Sequence, residues 1–249
     1  MPVTIAGLSD VGCVKTVNED AWLAESVGEV KICVLADGVS AGGYGGIASR
    51  TTIDAFQGLI NEEKLAAALD LNMRSLVLSM AVHRAHNDIG KKVQGNPQWQ
   101  GMACTCLVAM MDTSSVHAQI VGDSRLYLFR DHRLVQKSED QTVARQLLKN
   151  GRITDAEIAT HPDRNTLAQA LGVERLNHPM EPEGVEFEWG KTDLLLLCSD
   201  GLTDLVDDAT IAQVLAEDVA LSNKAEKLIE LAKQAGGRDN ITVILVLNE

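Results

Sequence analysis

Four short segments, each placing an aspartate at the edge of an apolar run, constrain this chain more than any other feature. They are Ala36-Asp37-Gly38, Gly122-Asp123-Ser124-Arg125, Cys198-Ser199-Asp200-Gly201 and Gly236-Gly237-Arg238-Asp239-Asn240. Three follow apolar runs (Lys31 to Ala36, Val116 to Val121, Leu194 to Cys198) and the fourth precedes one (Ile241 to Leu247). Short apolar runs bounded by turn residues read as strands, so these acids sit at sheet ends where several segments can converge. A single Asp-Gly is an ordinary turn. Four of them, gathered by one fold, make an all-oxygen cluster of the kind hard divalent cations prefer.

Further apolar runs predict strands at Val3 to Leu8, Ala21 to Ala24, Val30 to Leu35, Ala103 to Met111, Leu126 to Arg130 and Val185 to Trp189. Helical periodicity covers Gly46 to Leu59, about Leu69 to Val93, Thr142 to Asn150, Asp207 to Ala216 and Ser222 to Ala235. Short turns such as Gly122-Asp123 and Arg130-Asp131-His132 imply antiparallel hairpins. The strand count is too high for one sheet, which favours two packed sheets flanked by helices. With no repeat or Gly/Ser linker, residues 1–249 read as a single domain, and the strand-poor stretch 138–182 as a flap beside the strand ends. Glu181, Glu183, Glu186 and Glu188 alternate with Val185, Phe187 and Trp189, as on the wet face of a strand.

A net charge of −13 argues against a nucleic-acid or anionic-membrane partner, since such surfaces need clustered Lys and Arg. No apolar stretch reaches 18 residues and the N-terminus lacks a signal-peptide pattern, so a cytoplasmic protein is expected; a monomer is the working expectation, though nothing in the sequence fixes the oligomeric state. The cysteines, an odd count of 5, fall mostly in apolar runs and read as reduced core thiols; Cys104-Thr105-Cys106 is not a zinc spacing. His83 and His86, on a helix face with Arg84 and Asn87, read as solvated.

In Asp37-Gly38 the carboxylate can bridge two cations while the glycine lets a main-chain carbonyl turn toward the second. Asp200 and Asp239 then complete one ion's shell, and all-oxygen ligation selects Mg²⁺ or Mn²⁺ over zinc. Two such ions activate a water against phosphorus, so the expected reaction is phosphoester hydrolysis.

Over nearly its whole length the chain resembles the metal-dependent protein phosphatases, the type 2C serine/threonine phosphatases, in their bacterial form. The resemblance rests on Ser9-Asp10-Val11-Gly12 with Asn18-Glu19-Asp20, Asp37-Gly38 with Gly42-Gly43-Tyr44-Gly45-Gly46, and Gly122-Asp123-Ser124-Arg125. It continues through His161-Pro162-Asp163-Arg164-Asn165 with Ala170-Leu171-Gly172, Ser199-Asp200-Gly201-Leu202 and Asp239-Asn240-Ile241-Thr242, in order. It implies an α+β, four-layer αββα sandwich and hydrolysis of phosphoserine and phosphothreonine by a water bridging two Mn²⁺ or Mg²⁺ ions. It also implies roles: Asp37 bridging both ions, Gly38 giving its carbonyl to the second, Asp200 and Asp239 on the first. Glu19 and Asp20 lie near the second ion directly or through water, Asp123 joins Asp200 at a weaker third site, and Asn240 supports Asp239. The implied partners are phosphorylated proteins and an opposing serine/threonine kinase.

Two positions depart from the family pattern. Lys15 stands where an arginine usually grips the substrate phosphate, keeping the charge but losing the planar fork. Val39 stands where some members carry a histidine that protonates the leaving group, so the general acid is unassigned. His161 is expected to be structural, and Arg125 to anchor the turn of Asp123. A non-catalytic phosphoprotein-binding module and a small-metabolite phosphatase of the same fold stay open as alternatives.

Overall fold

The apolar runs are continuous because most strands are covered on both faces. The structure, a computed structural model, describes residues 3–39, 42–61, 73–173 and 179–249. One five-stranded sheet has the order β1 (Val3–Asp10), β12 (Ile241–Asn248), β11 (Leu194–Cys198), β8 (Arg125–Arg130), β9 (Arg133–Gln136). The other has the order β10 (Glu183–Glu188), β7 (Ser115–Val121), β6 (Cys106–Met111), β3 (Val30–Ala36), β2 (Ala21–Val27). Every pairing in both sheets is antiparallel.

Alternation along each strand sorts side chains into three apolar layers. In β3, Cys33 and Leu35 meet Leu195, Leu197, Ile244 and Val246 between the sheets. Ile32, Val34 and Ala36 turn the other way, onto Phe56 of α1 (Gly45–Ile60) and Leu78, Val82 and Ile89 of α2 (Arg74–Gly95). On the far side Leu194, Leu196, Val243 and Leu245 pack on Ile211 of α6 (Asp208–Leu215) and Leu228 and Ile229 of α7 (Leu221–Gln234). The result is the expected αββα sandwich.

Register places the aspartate turns at one end. Leu35 pairs with Leu107 and Cys106 with Val121, so the end of β3, the start of β6 and the end of β7 coincide. Cys198 pairs with Val243, and Ile241 with Asp10, which brings the end of β11, the start of β12 and the end of β1 to the same edge.

Several expectations need correction. The strand predicted from Ala103 to Met111 breaks at Thr105 into β5 (Ala103–Cys104), paired with β4 (Gly38–Val39), and β6. Strand β9 is an addition to the expected set; its polar composition hides it. The helix expected from about Leu69 is described as α2, and Leu69 to Asn72 lie outside the described residues. Within 138–182 the helix expected from Thr142 to Asn150 is present as α3 (Val143–Lys149) and is followed by the short α4 (Asp155–Ile158), with residues 174–178 not described. Cys13 is exposed, whereas Cys33, Cys104, Cys106 and Cys198 are buried thiols. His86 is not simply solvated: its Nδ1 accepts the Gly172 N–H at 3.2 Å. No helix among the described residues is long and apolar enough to cross a membrane.

Candidate metal centre

At the shared strand end a cleft of about 650 Å³ is lined by Lys15, Glu19, Asp37, Gly38, Val39, Asp123, Asp200 and Asp239. Each arrives on its own support. The Asp37 peptide is clamped to Thr105, whose Oγ1 accepts the Asp37 N–H at 3.0 Å and whose N–H donates to the Asp37 carbonyl at 2.8 Å. Thr105 Oγ1 also lies 2.8 Å from Ser124 Oγ, tying the turn of Asp123 to the turn of Asp37. Thr105 is fully buried, and the break it makes between β5 and β6 serves this clamp.

Gly38 cannot carry a side chain: a Cβ there would stand 2.4 Å from the Gly45 carbonyl carbon and 2.6 Å from the Glu19 carbonyl oxygen. This close approach seats the N-terminus of α1 beside Asp37. Glu19 answers that N-terminus, its Oε1 accepting the Gly46 N–H at 3.1 Å, a favourable position for a carboxylate. Asp200 opens the short helix α5 (Asp200–Thr203), and Gly201 is required because a Cβ would fall 1.9 Å from the Asn240 carbonyl oxygen.

Asn240 stitches the opening loop beneath the site. Its Nδ2 donates to the carbonyls of Val11 (3.0 Å) and Val17 (3.1 Å), its Oδ1 accepts the Glu19 N–H (2.8 Å), and its own N–H donates to Asp239 Oδ1 (2.8 Å). Lys15, on that loop, places Nζ 3.0 Å from Asp239 Oδ1. This bond, ahead of the fields of Glu19 and Asp37, holds the ammonium above its ordinary pKa even though burial works against it.

Asp20 is the one expected ligand that does not line this cleft. It lies behind Asp37, within hydrogen-bonding reach of it, and its Oδ2 accepts from Thr242 Oγ1 (2.6 Å) and Ser199 Oγ (2.9 Å). Arg125 anchors a different acid from the one expected: its guanidinium grips Asp140, with Nε 2.9 Å from Oδ1 and Nη2 2.7 Å from Oδ2. His161 Nδ1 accepts the Asp163 N–H at 3.1 Å, a structural role.

The acids crowd one another. Burial, then the charges of Asp20, Asp200 and Asp123, push the Asp37 carboxyl well above the usual range. Burial first and Asp200 second do the same at Asp123. Asp20 is pushed up to about 6 and Asp200 to about 7, in both cases mainly by burial. Asp20 Oδ1 and Asp200 Oδ1 are buried with no hydrogen-bond partner, an arrangement that is costly unless something supplies positive charge. Among the described residues no three His, Cys, Asp or Glu side chains close into a finished cage. The carboxylates that line the cleft offer oxygen alone and leave room for water, a donor set that fits Mg²⁺ or Mn²⁺.

Sequence patterns do not single out Thr105, Asp204 or the arginines of the rim. Asp204 follows Asp200 by one helical turn, and its charge is the largest influence after burial on Asp200; that i, i+4 spacing is the signal through which it could have been found. Arg164 and Arg238 line the cleft with Asp204.

A family model described as Protein phosphatase 2C matches residues 14–234. Serine/threonine protein phosphatase PstP of Mycobacterium tuberculosis is 35% identical over 243 residues, covering 96% of this chain and 44% of PstP. Serine/threonine phosphatase stp of Listeria monocytogenes is 33% identical over 239 residues, covering 96% of this chain and 93% of stp. Among solved structures, the S. agalactiae serine/threonine phosphatase superposes with a TM-score of 0.91 at 29% identity over 99% of this chain and 100% of that one. The catalytic domain of PstP in complex with two manganese ions gives 0.81 at 33% identity, over 98% of each chain. This chain therefore belongs to the protein phosphatase 2C family of bacterial serine/threonine phosphatases. It spans about 44% of the length of PstP and nearly all of stp.

Proposed function

We propose that this chain removes phosphate from phosphoserine and phosphothreonine in proteins, in opposition to a serine/threonine kinase, using a pair of Mn²⁺ or Mg²⁺ ions. One observation carries the proposal: Asp37 stands among the mutually repelling carboxylates of Asp20, Asp123 and Asp200, two of whose buried oxygens have no partner. When bound, the cation pair supplies the charge that makes water nucleophilic at neutral pH and offsets charge gathering on the phosphoryl oxygens. Asp37, the Gly38 carbonyl, Asp200 and Asp239 are the groups proposed to hold it. Glu19 and Asp20 contribute near the second ion, Asp123 with Asp200 offers a weaker third site, and Asn240 steadies Asp239.

The Thr105 clamp keeps the Asp37 backbone fixed, so its carboxylate is oriented before any ion arrives. Lys15, at the mouth and paired with Asp239, is suited to orient the phosphate by charge without the two-point grip of arginine. Val39 follows Asp37-Gly38 at the cleft wall and has no proton to give. The test is phosphate release from p-nitrophenyl phosphate and from a phosphothreonine peptide in Mn²⁺. Release from both supports the assignment, and none from either, with folded protein that binds Mn²⁺, overturns it in favour of a binding module.

A further inference from the structure

Asp20 stands between two clefts. On one side it touches Asp37; on the other, a smaller cleft of about 300 Å³ opens among Ser9, Asn18, Asp20, Trp22, Arg50 and Asp54. An unbroken hydrogen-bond chain runs from the smaller cleft to Asp20 Oδ2. Asn18 Nδ2 donates to Ser9 Oγ at 2.8 Å, Ser9 Oγ lies 2.7 Å from Thr242 Oγ1, and Thr242 Oγ1 donates to Asp20 Oδ2 at 2.6 Å. Ser199 completes it: its Oγ accepts the Thr242 N–H and donates to the same Asp20 oxygen, each at 2.9 Å. Thr242 and Ser199 are both fully buried.

Counting protons gives the chain a direction. An ionised carboxylate only accepts, so Thr242 and Ser199 must each direct their single hydroxyl proton at Asp20. Thr242 Oγ1 then accepts from Ser9, and Ser9 accepts from the amide of Asn18, so each proton in the chain points inward. The diversion of Ser199 is informative. It occupies the N-cap position of α5, where serine ordinarily binds the helix N–H groups, yet it makes no side-chain cap bond. Its hydroxyl serves Asp20 instead.

We propose that Asn18, Ser9, Thr242 and Ser199 form a column of positioning residues that holds Asp20, and through it Asp37, where the cation pair binds. The inference rests on the metal-dependent reading above. It predicts that metal affinity at the cleft depends on a hydroxyl that no cation or substrate touches.

The test is Mn²⁺ titration by calorimetry on the full chain, with stability followed separately. Thr242→Val should weaken Mn²⁺ binding roughly 10- to 100-fold, the usual cost of removing a partner of a metal ligand. Thr242→Ser, which keeps the hydroxyl, should restore most of it. As the structural control, Asn248→Ala removes the part-buried bond from Asn248 Nδ2 to the Thr113 carbonyl at the far end of the same strand; it should lower stability and leave Mn²⁺ affinity unchanged. Wild-type protein that binds no Mn²⁺ overturns the metal reading and the column with it. Wild-type binding matched by Thr242→Val, or an equal loss in Asn248→Ala, overturns the column alone. If Thr242→Val does not fold, Ser9→Ala carries the test, with an expected loss of roughly 2- to 10-fold; no loss there overturns the column.

Discussion

The two ends of the sandwich treat their buried and half-buried aspartates in opposite ways. At the end away from the cleft, Asp193 is 3% exposed and bound by Arg130, with Nε 2.9 Å from Oδ1, and by the Gly190 N–H. Nearby in the fold, after β6, Asp112 accepts the N–H groups of Ser114 (2.8 Å) and Ser115 (2.9 Å) and pairs with Arg74 at 2.8 Å. Burial raises both acids, and these donors outweigh it, holding each carboxyl below its ordinary range. At the cleft end Asp20 accepts the neutral hydroxyls of Ser199 and Thr242, Asp37 and Asp123 feel the charge of Asp200, Asp200 feels that of Asp204, and all four cleft acids are raised. Burial is common to both ends; what differs is the cation. One end carries its own in arginine side chains, and the other leaves a gap in charge that a divalent ion fits.

Substitution at the centre of the cleft end should have the largest effect on turnover. Asp37→Ala should cut phosphate release by more than ~100-fold, beyond the loss typical of groups that only support a ligand. It should also raise the melting temperature of the metal-free protein, because one repelling charge is gone. Near-normal release in buffered Mn²⁺ would remove Asp37 from the bridging position. At the opposite end Arg74→Met should cost about 3 kcal/mol, since it strips the guanidinium from Asp112, and should leave Mn²⁺ affinity unchanged. Urea unfolding with parallel Mn²⁺ titration checks both halves of that contrast; a shift in affinity would mean that the two ends are coupled.

Much of this contrast is legible in the amino-acid sequence, and the part that is not has a physical reason. The cleft aspartates stand out because each sits at the edge of an apolar run, and the two-sheet architecture follows from short antiparallel turns and a strand count too high for one sheet. Thr105 stays hidden because one polar residue in Ala103 to Met111 is compatible with an unbroken strand; only the pairing of β5 with β4 exposes the break. Asp20 and Glu19 look like near-equal neighbours in the motif. The fold separates them: Glu19 lines the cleft, and Asp20 accepts the hydroxyls of Ser199 and Thr242. The partner of Arg125 is hidden too, because Asp140 is distant in sequence and close only after β8 and the following turn fold.

Acid titration should separate the ends by sign. Asp20 and Asp200 titrate at about 6 and about 7 in the metal-free fold, above the ~3.9 of an unfolded aspartate. A raised folded value means that folding takes up protons, so their contribution is complete below the unfolded value and is lost as pH rises through 6 and 7. Metal-free protein should therefore melt about 3 °C or more higher near pH 5.5 than near pH 8. Asp112 and Asp193 act in the opposite direction: their contribution is present above about pH 4 and lost as pH falls below it. Mn²⁺ should shift the optimum upward, because cation and proton compete for the same oxygens. Scanning fluorimetry across pH, with and without Mn²⁺, reads all of this, and a flat metal-free profile between pH 5.5 and 8 would remove the difference between the ends.

The smallest stability effect belongs to Lys15, the cation whose amine already touches one cleft acid, Asp239. Its side chain and that of Asp239 are 42% and 45% exposed, so water and salt screen the pair and its worth is ~1 kcal/mol or less. Lys15→Gln should thus leave unfolding in urea within about 1 kcal/mol of wild type, unlike Arg74→Met. Its KM for a phosphothreonine peptide should nevertheless rise, by roughly 10-fold if the ammonium meets the phosphate through one charged hydrogen bond. Lys15→Arg should lower KM below wild type, because the guanidinium can contact two phosphate oxygens where the ammonium makes a point contact. Unchanged KM in both variants would leave Lys15 as a partner of Asp239 alone. In that case the orientation of the phosphate would fall to Arg164 or Arg238, the other cations of the rim, and the contrast between the ends would rest on the carboxylates without help from a resident lysine.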